Sequence, residues 1–322
     1  MKRLFLAAVI TAGVLSQTRA ISFSEWIRTS GVFQKKRSVK TRQTMVAAVR
    51  GVEAPGDVDP QARDYEGVEK MEARQASVKD PGADFPKETQ EEIEIGRDVA
   101  ANVIAQFGLY EDEALADYVN AVGQSVARYA PRQDIPYRFA VIKSDILNAF
   151  AAPGGYIFIT TGLLKSLKDE AQLAGVLAHE VTHVSQRHVM KEIRKVQMVN
   201  SVIPGYVRAT AEKAGHMKQV TDLAVKIAWK GLSREDELEA DRLALDYARA
   251  AGYDPSSFKE VLEMLRDRAQ TPKGLEHDVK FILSTHPRPQ DRILAVNERL
   301  KFFMIGGTKR RDEFERSVKF QK

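Results

Sequence analysis

Apolar positions along this chain fall into three patterns, and each predicts a different element. Between Glu88 and Gly108 they recur at helical spacing, with Ile95, Val99 and Val103 four apart on one face. Thr89 and Glu92 have the spacing of a capping box, and Gly108 ends the run. The segment EALADYVNAVGQSVARYA, from Glu113, predicts a second amphipathic helix. The pattern then changes. PYRFAVIKS and GYIFITT are short, β-branched and aromatic, and they flank DILNAFAAPGG, whose Ala152-Pro153-Gly154-Gly155 is turn chemistry. They predict a small antiparallel sheet over residues 136–160, set between helical halves. An edge strand there presents backbone groups able to hold an extended peptide.

In KDEAQLAGVLAHEVTHVSQRHV the third pattern appears: apolar residues on more than one side, no proline, and Asp169 and Glu170 at the start. That predicts a buried helix. The fold class expected is α+β, mainly α-helical, with the sheet beside this helix.

Composition divides the chain. Lys2 and Arg3 precede twelve largely apolar residues, Leu4 to Leu15, and small residues lead up to Ala20. Residues 1–20 therefore read as a cleavable secretory signal peptide; so short an apolar run spans a bilayer poorly if kept as an anchor. Cysteine is absent, which closes lipid attachment through cysteine and disulfide formation alike. The net charge of +5 is unevenly placed: residues 21–50 carry seven basic residues against Glu25 alone. Residues 21–84 read as a basic arm and linker, 85–305 as the folded domain and 306–322 as a C-terminal tail. The arm suits peripheral contact with anionic headgroups or simple solvation. No recognition module surrounds it, so no nucleic-acid role is expected.

The buried helix carries the chemistry. His179 and His183 are one turn apart and project together, so two imidazoles can reach one Zn2+ ion. Glu180, turned about 100° away, can address an attacking water. Burying such polar groups without a partner costs kilocalories each, which favours a ligand over chance. A third histidine at metzincin spacing is absent, because Gln186 stands where the glycine belongs and His188 is one residue short. Glu237 and Asp241, four apart on a predicted helix in SREDELEADRLALDYA, can share the remaining work. One binds the ion and the other accepts an N–H from a ligating histidine. Glu235 and Glu239 lie roughly 200° around that helix from Glu237 and fit the ligand role poorly. His188 reads as a histidine packed near the ligands, and His216 and His277 as exposed loop residues.

LAGVLAHEVTHVSQRH, LSREDELEADRLALDYA, LNAFAAPGGYIFITTGLL and THPRPQDRI occur in the order seen in the HtpX-like zinc metallopeptidases, and the chain resembles exported envelope members of that family over about residues 85–300. The resemblance implies a gluzincin, with His179, His183 and Glu237 on one zinc, Glu180 as general base and Asp241 supporting a ligand. It implies that Asn148, Ala149, Phe150, Gly154 and Gly155 lie beside the substrate cleft. It also implies that His286 can approach the metal and hold the enzyme latent, and that Arg292 steadies the oxyanion or substrate.

The expected function is hydrolysis of unfolded or misassembled envelope polypeptides in the periplasm. The alternative is a zinc-stabilised chaperone or outer-membrane assembly factor. The tail TKRRDEFERSVKFQK is too short for the C-terminal repeat domain of some relatives. Residues 196–230 suit either a lid, a membrane-leaning segment or a packed connection.

Overall fold

The structure is a computed structural model that describes residues 63–74, 85–201, 220–227, 231–270, 286, 289–303 and 306–320. The expected leader, the basic arm, His216, His277 and much of the 196–230 connection lie outside the described residues. In chain order the elements are α1 (Tyr65–Ala73), α2 (Lys87–Phe107), α3 (Glu113–Ala127), β1 (Arg138–Ile142), β2 (Ala149–Ala152) and β3 (Tyr156–Thr160). They are followed by α4 (Thr161–Ser166), α5 (Glu170–Ser185), α6 (His188–Ser201) and α7 (220–227). The last four are α8 (Arg234–Ala250), α9 (Ser256–Ala269), α10 (Pro289–Leu300) and α11 (Arg311–Ser317). All the described residues fall in one compact unit.

Helix dominates, as the periodicity predicts, but the sheet is mixed. Strand order is β1-β3-β2, with β3 antiparallel to β2 and parallel to β1. The tight turn at Pro153–Gly155 makes β2 and β3 a hairpin. Residues 143–148 cross the end of β3, where Thr160 and Thr161 bond to Ile146 and Ser144, and so place β2 on the opposite edge from β1. Local propensity says nothing about such a crossing, which is why an all-antiparallel sheet was the sequence expectation.

Both faces of the sheet are buried. Phe139, Val141, Ile157 and Ile159 join one core cluster with α3 and α5, while Ala140, Ile142, Tyr156 and Phe158 join another with α1 and α2. Continuous apolar strands of this kind belong to a sheet covered on each side.

Three boundaries differ from the sequence reading. The stretch taken as linker contains α1, capped by Asp64 and buried through Val68 and Met71. The Thr89–Glu92 capping box does not form: α2 starts after Pro86 without a side-chain cap. Thr89 instead donates to Asp134, and Glu92, 2 % exposed, binds Arg132 and Arg187, each at 2.7 Å. A tertiary hydrogen bond from Thr89 and ion pairs to Glu92 thus take both side chains away from the helix terminus. The segment after 305 is also part of the fold, since Phe314 is buried in the main core and Arg310 binds Glu170 at the start of α5. Among the described residues no helix is long and apolar enough to cross a membrane.

Candidate metal centre

Helix α5 is buried at every position. Asp169 caps it by accepting from Gln172 N, and Gly175 lets Phe258 of α9 approach, since a Cβ there would stand 2.7 Å from Phe258 Cβ. Opposite lies α8, capped by Ser233 on Asp236 N, which sets Glu237 in its first turn. Glu237 is thereby aimed at the two histidines of α5.

His179 Nε2 and His183 Nε2 are 3.0 Å apart, and Glu237 lies 3.6 Å from the first and 3.5 Å from the second. Donors about 2.0–2.1 Å from a tetrahedral ion stand roughly 3.3 Å from one another. The three groups therefore fit around one divalent metal with little movement. His286 joins them, with Nδ1 3.0 Å from Glu237 Oε2 and Nε2 3.3 Å from the Ala149 carbonyl oxygen. Its ring packs edge-on against His179. The four residues form one cluster able to hold a metal ion.

Charge is arranged around these donors. Burial would raise the Glu237 carboxyl, but the neighbouring His286 and Arg292 hold it well below the usual range. Burial together with the charge of neighbouring His179 keeps His183 well below the ordinary histidine value, leaving the neutral imidazole that a metal needs. For His179, burial and Arg292 push down, yet hydrogen bonds to Asp241 and Glu237 outweigh them and raise it to about 9. In the metal-free cluster, then, a proton on His179 balances part of the carboxylate charge. Burial raises Glu180, whose Oε2 has no hydrogen-bond partner among the described residues. A buried carboxylate with a free lone pair is suited to accept a proton from a reacting molecule.

Asp241 sits where the E-x-x-x-D spacing put it, 3.0 Å from His179 Nδ1. Arg292 Nε and Nη2 bind both Asp241 oxygens at 2.8 and 2.7 Å, and Nη1 is 3.2 Å from Glu237. All three guanidinium nitrogens are engaged by carboxylates, so Arg292 braces Asp241 and Glu237 while bordering the cavity beside Glu180 and His286.

The expected cleft residues divide. Ala149 is on the edge of the sheet that no strand among the described residues pairs with, because β2 bonds to β3 through alternate residues such as Asn148, whose carbonyl accepts from Thr160 N. Phe150 is a correction: it points to the opposite face and stacks on Phe158 at 5.3 Å between centroids. Gly154 and Gly155 have positive φ and are packed tightly; added Cβ atoms would meet Ile93 at 2.6 Å and the Pro136 carbonyl at 2.1 Å. Gly155 is therefore a turn residue, not a substrate contact, while Gly154 borders a narrow cavity beside His183. Asn148 is buried at the start of β2.

Sequence reasoning missed two contributors. Phe258 lies nearly parallel to the His179 ring at 5.8 Å, and its place on α9 carries no local signal. It also lines a small cavity of about 30 Å3 with Leu163, Val176 and Leu262, beside Glu180 and His286. Glu239, passed over as a ligand, faces His188 at 3.1 Å.

An H-E-x-x-H helix facing a glutamate helix, with a peptide-sized edge strand alongside, defines a zincin-type metallopeptidase site. Residues 113–300 match Peptidase family M48, and the chain belongs to that family. It is 28 % identical over 216 residues to the beta-barrel assembly-enhancing protease of Escherichia coli K12, covering 65 % of this chain and 44 % of that protein. It is 29 % identical over 182 residues to the mitochondrial metalloendopeptidase OMA1 of Schizosaccharomyces pombe, covering 56 % and 52 %. With metalloprotease LoiP of Escherichia coli it shares 26 % identity over 192 residues, covering 58 % and 69 %. The chain thus spans less than half the length of the first of these relatives.

Proposed function

We propose that this protein is a zinc-dependent endopeptidase of the bacterial envelope that cleaves unfolded or misassembled polypeptides. The observation carrying it is the convergence of His179, His183 and Glu237 on one point, with the buried, unpartnered Glu180 oxygen nearby. Two imidazoles and one carboxylate are a zinc peptidase donor set with a fourth position left for chemistry. The envelope assignment rests on the leader-like residues 1–20 and on similarity to a protease named for β-barrel assembly.

Zinc, when bound there, acidifies a water molecule and polarises the scissile carbonyl. The chain's own residues do the rest. Glu180 takes the proton as the water attacks and delivers it to the leaving amine. Asp241 holds His179 through Nδ1, and Arg292 holds Asp241 and Glu237 in register. The open edge of β2 aligns an extended substrate through backbone hydrogen bonds, which favours unstructured chains over one sequence.

His286 bridges Glu237 and the Ala149 carbonyl, so it occupies both the metal's open side and the first backbone acceptor of the edge strand. It is the latency element in this reading. The test is cleavage of casein by metal-stripped protein titrated with zinc. Activity should appear with one equivalent of zinc and rise in His286→Ala. Stoichiometric zinc binding without cleavage in either form would instead favour the chaperone alternative.

A further inference from the structure

The two metal-facing imidazoles are oriented by different means. His179 has a carboxylate, Asp241, directly at Nδ1. At Nδ1 of His183 there is instead another histidine: His188 Nδ1, 2.9 Å away. His188 is fully buried, and its Nε2 lies 3.1 Å from Glu239 Oε2 and 3.6 Å from Asp236 Oδ1.

Two nitrogens at hydrogen-bond distance need one proton between them. His183 must keep the Nε2 lone pair for the metal, so its proton is on Nδ1 and is donated to His188. His188 Nδ1 must then be a bare acceptor, which puts its own proton on Nε2, facing Glu239. One assignment satisfies every atom. The geometry points to His188 as a positioning residue that transmits the Glu239 carboxylate to the metal ligand His183, an inference that rests on reading His183 as that ligand.

Helix α8 then supplies three carboxylates with three tasks. Glu237 faces the metal, Asp241 holds His179, and Glu239 holds His183 through His188. Glu239 is on a different side of α8 from Glu237 and needs an intermediary. The chain provides one by a sharp break between α5 and α6. Arg187 has φ +57, a left-handed conformation that residues with a side chain rarely adopt. Its Nε is held at 2.7 Å by the buried Glu92. That break starts α6 at His188, beside the His183 ring, with centroids 5.1 Å apart.

The test is a double-mutant cycle on zinc affinity, measured with the purified chain by competition against a chelating dye, with metal-free melting curves as a control for folding. Removing a group that orients a metal ligand weakens binding by about 10–100-fold. His188→Leu should fall in that range. His188→Gln, whose amide can accept from His183 and donate to Glu239, should stay within about threefold of wild type. Glu239→Ala, at a half-exposed site that cannot upset the core, should weaken zinc several-fold, and in the His188→Leu background it should add nothing. Additive losses, wild-type affinity in Glu239→Ala, or a His188→Gln as weak as His188→Leu would each overturn the relay. If His188→Leu does not fold, Glu239→Ala and His188→Gln decide alone. Failure of the wild-type chain to bind zinc would overturn the metal site and the relay together, whereas tight wild-type binding unaffected by these substitutions would overturn the relay alone.

Discussion

At the scale of single residues, the site separates groups that hold from groups that react. Glu180 is buried and has an unpartnered oxygen, while Glu237 and Asp241 are saturated by His286, Arg292 and His179. Three carboxylates within a few residues of the same point therefore have different proton affinities. In the metal-free site burial raises Glu180, whereas His286 and Arg292 hold Glu237 down. Asp241→Asn should loosen zinc by about 10–100-fold, because His179 and Arg292 both lose their partner. Equilibrium dialysis against zinc buffers reads that change, and unchanged affinity would show that Asp241 is not supporting the ligand.

Among elements, what was legible depended on whether the signal was local. The helical repeat of Ile95, Val99 and Val103 and the multi-sided apolar surface of α5 gave those helices their positions, because periodicity reports burial directly. The H-E-x-x-H and E-x-x-x-D spacings placed five site residues for the same reason: a helix converts sequence offset into direction. Parallel pairing of β1 with β3 was not legible, since it depends on residues 143–148 crossing the end of β3. Nor was α1, whose short apolar face has meaning only against α2. Arg292 was found by resemblance, but its pairing with Asp241 was not legible, because spacing cannot reveal which carboxylate a guanidinium meets. The contact between α5 and α9 is testable at this scale. Gly175→Ala would force its methyl against Phe258, an overpacking that costs about 1–3 kcal/mol. Because Phe258 lies against His179, the same change should lower both the melting temperature and zinc affinity. Loss of neither would mean that α9 yields freely.

On the scale of the whole molecule, the peptidase body extends beyond the limits that composition suggested. Residues 306–320 fold back onto the start of the metal-binding helix: Lys309 O accepts from Ala171 N, Arg310 binds Glu170, and Phe314 is 4 % exposed in the main core. Glu170 is further held by Tyr118 and Tyr253, which ties α3, α5 and the 250s loop to this strap. Deleting residues 306–322 should therefore destabilise the fold by about 3 kcal/mol or more, the scale of losing one buried phenylalanine. Thermal denaturation of the shortened chain checks this, and an unchanged midpoint would show that the strap is dispensable.

In the proposed mechanism Glu180 carries the proton at a zinc that His179, His183 and Glu237 would hold. The most direct measurement is single-turnover cleavage of unfolded casein by zinc-loaded His286→Ala and His286→Ala/Glu180→Gln, with bound zinc determined in the same samples. The prediction is equal zinc in both and a rate lower by about 10²–10⁴ in the double variant. Equal rates at equal zinc content would contradict it.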